Sequence, residues 1–251
     1  MTMVHMKTIQ ASAFKSVFEV LKDILNDVNI YFTKDGIRIL TLDTARTALI
    51  DTFMKADNFE EYTCNSTTIA GVNITNTFKI LKSITNNDTL TLDIKDTDFI
   101  DIRIENPCKR QDIKFRLKLL EINEDRIEPP EVNMSVTTTM PSSDFQRICR
   151  DMNNLAIEVD VRRKGGDFIV KCEGDFAHQE TKIECIDTME FDGDIHGVYS
   201  LKYLNLFTKA TSMCANIQIM QEEANRFLVL KYDIANLGVL KFYLATRVTD
   251  E

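Results

Sequence analysis

The 251-residue sequence has six cysteines and no CxxC pair. Cys64, Cys108, Cys149, Cys172, Cys185 and Cys214 are scattered, and the three histidines, His5, His178 and His196, are equally dispersed. A zinc site or a disulfide framework needs clustered spacing, so the pattern reads as reduced intracellular thiols with no metal. No run approaches the ~18 apolar residues of a membrane span, and the opening MTMVHMKTIQ has no apolar leader core. The expectation is a soluble protein with no membrane partner. GxGxxG, GxxxxGKS/T and nucleophile motifs are all missing, so no motif points to a cofactor or a catalytic site. Positive charge is also short. Thirty Lys and Arg face 39 Asp and Glu, for a net charge of −9. That argues against a protein that coats itself indiscriminately in nucleic acid and leaves room for a local basic stripe.

What is present suits a sizeable globular core, with 44% hydrophobic and 27% charged residues over a length that fits two domains of about 120 residues each. Phe14, Val17, Phe18, Leu21, Ile24 and Leu25 recur at helical spacing, with Ser12 as the expected N-cap. Alternating runs at 37–42 and 48–54 predict half-buried strands, and a short helix is predicted over 75–84. Further alternation follows at 89–94 and 99–104, with turns at Asn87-Asp88 and 95–97. The run 113–119 alternates without a break.

Periodicity then stops. Residues 121–133 are acidic and carry Pro129-Pro130, which disfavour helix and central strand alike. We read 1–119 and 134–251 as two domains joined by a connector over 120–133. The second domain repeats the order of the first. Phe145, Ile148, Cys149, Met152 and Leu155 recreate the first apolar stripe, Lys164-Gly165-Gly166-Asp167 makes a hairpin turn, and a short helix is predicted over 201–210. In each half the two helices begin about sixty residues apart, as an internal duplication would place them. The fold class is α+β, with helices on one face of antiparallel sheets.

Five collinear blocks carry a family resemblance: SVFEVLKDILND from Ser16, GVNITNTFKILK from Gly71, MPSSDFQRICRD from Met140, LKYLNLFTKAT from Leu201 and LVLKYDIANLGVLKFYLA from Leu228. In order, spacing and extent the chain resembles the eukaryotic-type DNA sliding clamps of the proliferating cell nuclear antigen family. The resemblance implies a non-enzymatic processivity factor. Three copies would close head to tail into a pseudo-sixfold homotrimeric ring whose helices line a hole for duplex DNA. It also implies a clamp loader, and DNA polymerase, nuclease and ligase partners tethered by short peptides. The compartment implied is the nucleus, or a cytoplasmic replication site if the source is viral.

The basic residues lie off the apolar stripes of the four helices: Lys15 and Lys22, Lys79 and Lys82, Arg147 and Arg150, and Lys202 and Lys209. At ~100° per residue Arg147 and Arg150 point nearly opposite the buried side. Lys and Arg facing phosphates give affinity without sequence readout. The first helix also carries Glu19 and Asp23, so its surface is mixed.

By the resemblance, two strands join subunits. One carries Lys114, Phe115, Arg116, Leu117 and Lys118; the other, at 178–185, carries Glu180, Thr181, Ile183 and Glu184. Opposite charge on two exposed edges suits such a seam. The implied partner-peptide groove comprises Leu42, Arg46, Leu49, Ile127, Pro129, Pro130, Phe227 and the tail Ala245, Thr246, Arg247 and Val248. The chain departs from the family there, reading Ala-Thr-Arg-Val where Ala-Pro-Lys-Ile is common, with a double proline in the connector. Lys164 lies near a lysine that some relatives modify with ubiquitin. Three rival readings are a subunit of a heterotrimeric checkpoint clamp, a monomeric processivity factor of the same fold, and an enzyme using Asp93, Asp96, Asp98 and Asp101. Those four acids fall on alternating strand residues and a turn, the pattern of a solvated sheet face.

Overall fold

A computed structural model describes residues 2–124, 127–130, 132–184, 191–224 and 226–247. The chain forms two compact units. The first takes in Met1–Thr44, Ile50–Pro129 and Asp233–Leu240; the second takes in Ala45–Leu49, Pro130–Tyr232 and Lys241–Glu251.

The first half of the chain runs β1 (Val4–Thr8), α1 (Ala11–Leu21), β2 (Asp27–Thr33), β3 (Gly36–Leu42), β4 (Ala48–Lys55), β5 (Glu61–Cys64), β6 (Thr68–Asn73), α2 (Ile74–Leu81), β7 (Thr89–Ile94), β8 (Phe99–Asn106) and β9 (Gln111–Lys118). In the first unit β5-β1-β7-β8-β9 form one antiparallel sheet, and β4-β3-β2-β6 follow one another in a second. Val4 and Met6 face inward beside Leu90, Leu92 and Ile94, and the α1 stripe of Phe14, Val17, Phe18 and Leu21 closes over them, all buried. Each such side chain contributes about 1.5–3 kcal/mol on leaving water. The rings of Phe14 and Phe18 lie 5.3 Å apart.

The second half runs β10 (Val136–Pro141), α3 (Ser142–Met152), β11 (Glu158–Lys164), β12 (Asp167–Glu173), β13 (His178–Glu184), β14 (Asp194–Ser200), α4 (Leu201–Phe207), β15 (Asn216–Gln221), β16 (Phe227–Ile234) and β17 (Gly238–Ala245). Its strand orders are β13-β12-β11-β14 and β10-β15-β16-β17. They repeat the first half: β1, β7, β8 and β9 correspond to β10, β15, β16 and β17, and β4, β3, β2 and β6 to β13, β12, β11 and β14. The core of this unit gathers Phe145, Cys149, Met152, Leu204 and Phe207, and Phe207 stacks on Phe242 at 4.4 Å.

Several boundaries differ from those expected. Ser12 does not cap α1. The helix begins at Ala11 after Gln10, which makes no side-chain cap, and the Ser12 hydroxyl donates instead to Asn86 Oδ1 at 3.4 Å. The fully buried Ala11 fixes the entry by docking the first turn, ahead of the point that the serine signal suggests. The second helix spans Ile74–Leu81, one residue ahead of the expected start at Thr75, because Asn73 Oδ1 caps it by accepting from Asn76 N at 2.9 Å. Residues 82–84 tighten into turn bonds, Ile84 N donating to Leu81 O at 2.9 Å. The helix predicted over 201–210 is α4 followed by a 3-10 helix at Thr208–Met213. The hairpin turn at Gly165 forms with φ +52°, and Asn87 turns at φ +72°. Residues 121–135, where described, form no helix or strand.

Candidate functional site

The helices come in pairs. In the first unit α1 packs beside α2, and in the second α3 packs beside α4 and the 3-10 helix. Each pair turns its apolar stripe inward and leaves most of its basic residues outward. Lys79, Lys82, Arg147, Arg150, Lys202 and Lys209 are exposed. Lys15 and Lys22 are half-buried and already committed. Lys15 Nζ donates to Ile84 O at 2.9 Å, and Lys22 Nζ sits 5.0 Å above the Phe78 ring and 3.7 Å from Asp23. Arg147 lies 3.2 Å from Asp144 and Arg150 3.5 Å from Asp151. Such exposed pairs are worth only about 0–1 kcal/mol and exchange readily for phosphate. Asp144 lies in the first turn of α3 and Arg150 in its last, which also suits the helix dipole.

Both strands expected to join subunits end their sheets. β9 lies outermost beside β8, and β13 outermost beside β12. On β9, Ile113, Phe115 and Leu117 are half-buried on the inner face, while Lys114, Arg116 and Lys118 are exposed on the outer one. Arg116 lies 4.4 Å from the Phe99 ring and 3.5 Å from Asp101. On β13, Thr181 and Ile183 are half-buried, and Glu180 and Glu184 are exposed. Lys182 between them is held by Asp167 at 2.7 Å. Cys185 lies outside the described residues.

Sequence reasoning missed two apolar residues at one end of the four-stranded sheet. Phe176, in the β12–β13 turn, and Ile157, just before β11, are both 78% exposed. Their loops touch, since a Cβ on Gly174 would meet Leu155 O at 1.9 Å. An aromatic inside the turn signal Gly174-Asp175-Phe176-Ala177 was the available clue.

The groove residues fall as follows. In the first unit Leu42 ends β3 half-buried, Ile127 is half-buried and Pro129 exposed. In the second, Leu49 is buried, Arg46 is exposed in a left-handed turn at φ +56°, Pro130 is half-buried, and Phe227 opens β16 beneath the Arg226 guanidinium at 5.9 Å. The tail amides are occupied. Ala245 N donates to Thr47 O at 3.3 Å, Thr246 N to Arg226 O at 3.0 Å and Arg247 N to Val198 O at 2.9 Å, and the Arg247 guanidinium pairs with Glu158. Val248 lies outside the described residues.

The four acids on which an enzyme reading would rest serve the outer sheet face instead. Asp93 bonds His5 at 2.8 Å, Asp101 holds Lys95 at 3.1 Å, and Asp96 Oδ1 accepts from the backbone of Asp98 and Phe99, both at 3.0 Å. Among the described residues no group of three or more such side chains is arranged to hold a metal ion.

The comparisons agree with this architecture. Residues 3–127 match the family described as proliferating cell nuclear antigen, N-terminal domain, and residues 128–247 match its C-terminal domain. Over 251 aligned residues the chain is 37% identical to the probable DNA polymerase sliding clamp 1 of Paramecium bursaria Chlorella virus 1, covering 96% of this chain and 95% of that protein. With paired helices over antiparallel sheets in two repeated halves, this chain belongs to the proliferating cell nuclear antigen family of DNA sliding clamps, the non-enzymatic processivity factors of DNA replication.

Proposed function

We propose that three copies of this chain close head to tail around duplex DNA and carry replication and repair enzymes along it. The observation that supports closure is the repeat of strand order. β9 stands in the first half where β17 stands in the second, and β13 stands where β4 stands in the first. Inside the chain β17 and β4 are neighbours, with Lys55 N donating to Leu237 O at 3.0 Å and Ala245 N to Thr47 O at 3.3 Å. β9 and β13 each end a sheet, with no strand beyond them among the described residues. The pairing that satisfies β17 and β4 is open to β9 of one copy and β13 of the next. Its two surfaces differ, so the contact is heterologous and closes only if the rotation returns on itself. Lys114, Arg116 and Lys118 of β9 meet Glu180 and Glu184 of β13, and the exposed Phe176 lies in the turn that leads into β13.

In this ring the exposed cations of the four helices face phosphates, and counterion release holds DNA without reading its sequence. The chain acts as a 1–119 domain, a 120–133 connector and a 134–251 domain. DNA polymerase, nuclease and ligase dock short peptides at Leu42, Leu49, Ile127 and Phe227 beside the tail, and a clamp loader opens the ring. The site of action is the nucleus or a cytoplasmic viral replication site. Light scattering across a concentration series tests closure. A stable trimer is expected, weakened by charge reversal at Lys114, Arg116 and Lys118. A persistent monomer would overturn the ring in favour of a processivity factor that grips DNA without encircling it.

A further inference from the structure

His5 is the second residue of β1 and has a carboxylate on either side. Its Nδ1 lies 2.8 Å from Asp93 Oδ1 on β7, and its Nε2 lies 3.1 Å from Glu61 Oε2 on β5. A neutral imidazole offers one N–H and one lone pair, whereas an ionised carboxylate only accepts. Both contacts are hydrogen bonds only when both ring nitrogens carry a proton. The other charged groups around the ring are few. Lys7 on the same strand holds Glu61 Oε1 at 2.9 Å. Asp101 on β8 lies opposite Asp93 in register and is drawn away by Lys95 at 3.1 Å and Arg116 at 3.5 Å. Opposite His5 on β5 stands the uncharged Thr63.

We propose that His5 is a proton-operated clasp that fastens the edge strand β5 to the five-stranded sheet through Glu61 and Asp93. β5 is four residues long and ends the sheet, paired only with β1 among the described strands. When the imidazolium loses its proton, the remaining N–H stays on Nδ1, toward the closer Asp93. The Nε2 lone pair then faces the Glu61 carboxylate, which retains Lys7 as its partner. The β5 side of the clasp therefore opens while the β7 side holds.

The His5 pKa is raised above its ordinary value of 6.5, first by the Asp93 hydrogen bond and further by Glu61, with partial burial opposing. Because the folded value lies above the unfolded one, the clasp's stabilisation is fully present below pH 6.5 and is lost as pH rises through the folded value.

The test is a histidine NMR titration of the intact protein, with His5 assigned by His5→Gln. The expected result is a ring protonated on both nitrogens below its midpoint, with that midpoint above 6.5. Asp93→Asn lowers the midpoint most and Glu61→Gln less. Glu61→Gln also lowers the melting temperature below the midpoint by more than it does above, because the amide it introduces can donate to a neutral Nε2. A midpoint at or below 6.5, or one that neither substitution moves, overturns the clasp. So does a melting difference that is the same on both sides of the midpoint, a reading that holds even if Asp93→Asn folds poorly.

Discussion

Gly71 on β6 lies directly against Leu120. Leu120 N donates to Gly71 O at 2.8 Å, and a Cβ at position 71 would stand 2.1 Å from the Leu120 carbonyl oxygen. Asn29 Nδ2 donates to Ile122 O at 3.1 Å, so the chain leaving β9 is pinned along the β6 edge before it runs on as the connector. Gly71→Ala must push Leu120 off that edge, because the oxygen it would meet belongs to backbone. The expected cost is about 1–3 kcal/mol in urea unfolding, with the Leu120 amide losing its hydrogen-exchange protection. Unchanged protection would show that the edge is held by something other than this approach.

The segment Asp233–Leu240 belongs to the first unit although it comes from the second half of the chain. Leu237 is fully buried there, and its carbonyl accepts from Lys55 N at 3.0 Å and Asn58 Nδ2 at 3.1 Å. Leu237→Ala is expected to cost about 2–5 kcal/mol. The fragment 1–129 lacks this segment altogether, and its circular dichroism should show no cooperative melt. A cooperative melt of that fragment would mean that the hairpin is dispensable to the first unit.

The same hairpin shows what pattern can and cannot reveal. The α1 stripe, the turn at Gly165 and the unbroken alternation of β9 were legible, because period and turn chemistry are local properties. Alternation also identifies one wetter face, as Lys114, Arg116 and Lys118 on β9 illustrate. It failed over the first part of β4, where residues 48–52 are all buried and burial alternates only from 53 on. Ser12 misled because a cap preference of about 1 kcal/mol gives way to docking the buried Ala11. Which strands end a sheet, and which distant residues meet, are properties of topology. The bridge from Glu61 through His5 to Asp93 joins residues up to 88 positions apart and leaves no periodic trace. The basic helix positions were legible as a set. That Lys15 and Lys22 are spent on Ile84 O and the Phe78 ring was not.

Ile157 and Phe176 offer a separate check on self-association. Each is 78% exposed, on loops that approach each other at Gly174 and Leu155. If the next copy covers them, Phe176→Glu removes a burial worth about 1.5–3 kcal/mol, and trimer formation weakens about ten- to hundredfold. The monomer's melting temperature should hardly move, because Phe176 contributes little to its own unit. Light scattering that shows unaltered association would place these residues outside the seam and leave the β9 and β13 edges as the only candidates.

The helix cations divide into two classes, and DNA binding should divide with them. Lys79, Lys82, Arg147, Arg150, Lys202 and Lys209 are exposed, and the pairs formed by Arg147 and Arg150 are short-range and weak. Replacing each by alanine should weaken duplex binding at low salt equally for unrelated sequences. For every phosphate that no longer meets a cation, the plot of log affinity against log salt should flatten by about 0.9. Lys15→Ala should act differently. Its ammonium satisfies the Ile84 carbonyl at 2.9 Å, so its removal should lower the melting temperature and leave the salt slope nearly unchanged. Fluorescence anisotropy across a salt series, run beside thermal melts, separates the two effects. If Lys15→Ala flattened the slope as much as Arg150→Ala, its bond to Ile84 would have to break in favour of phosphate, and the helix pair would track DNA through Lys15 as well as through the exposed cations.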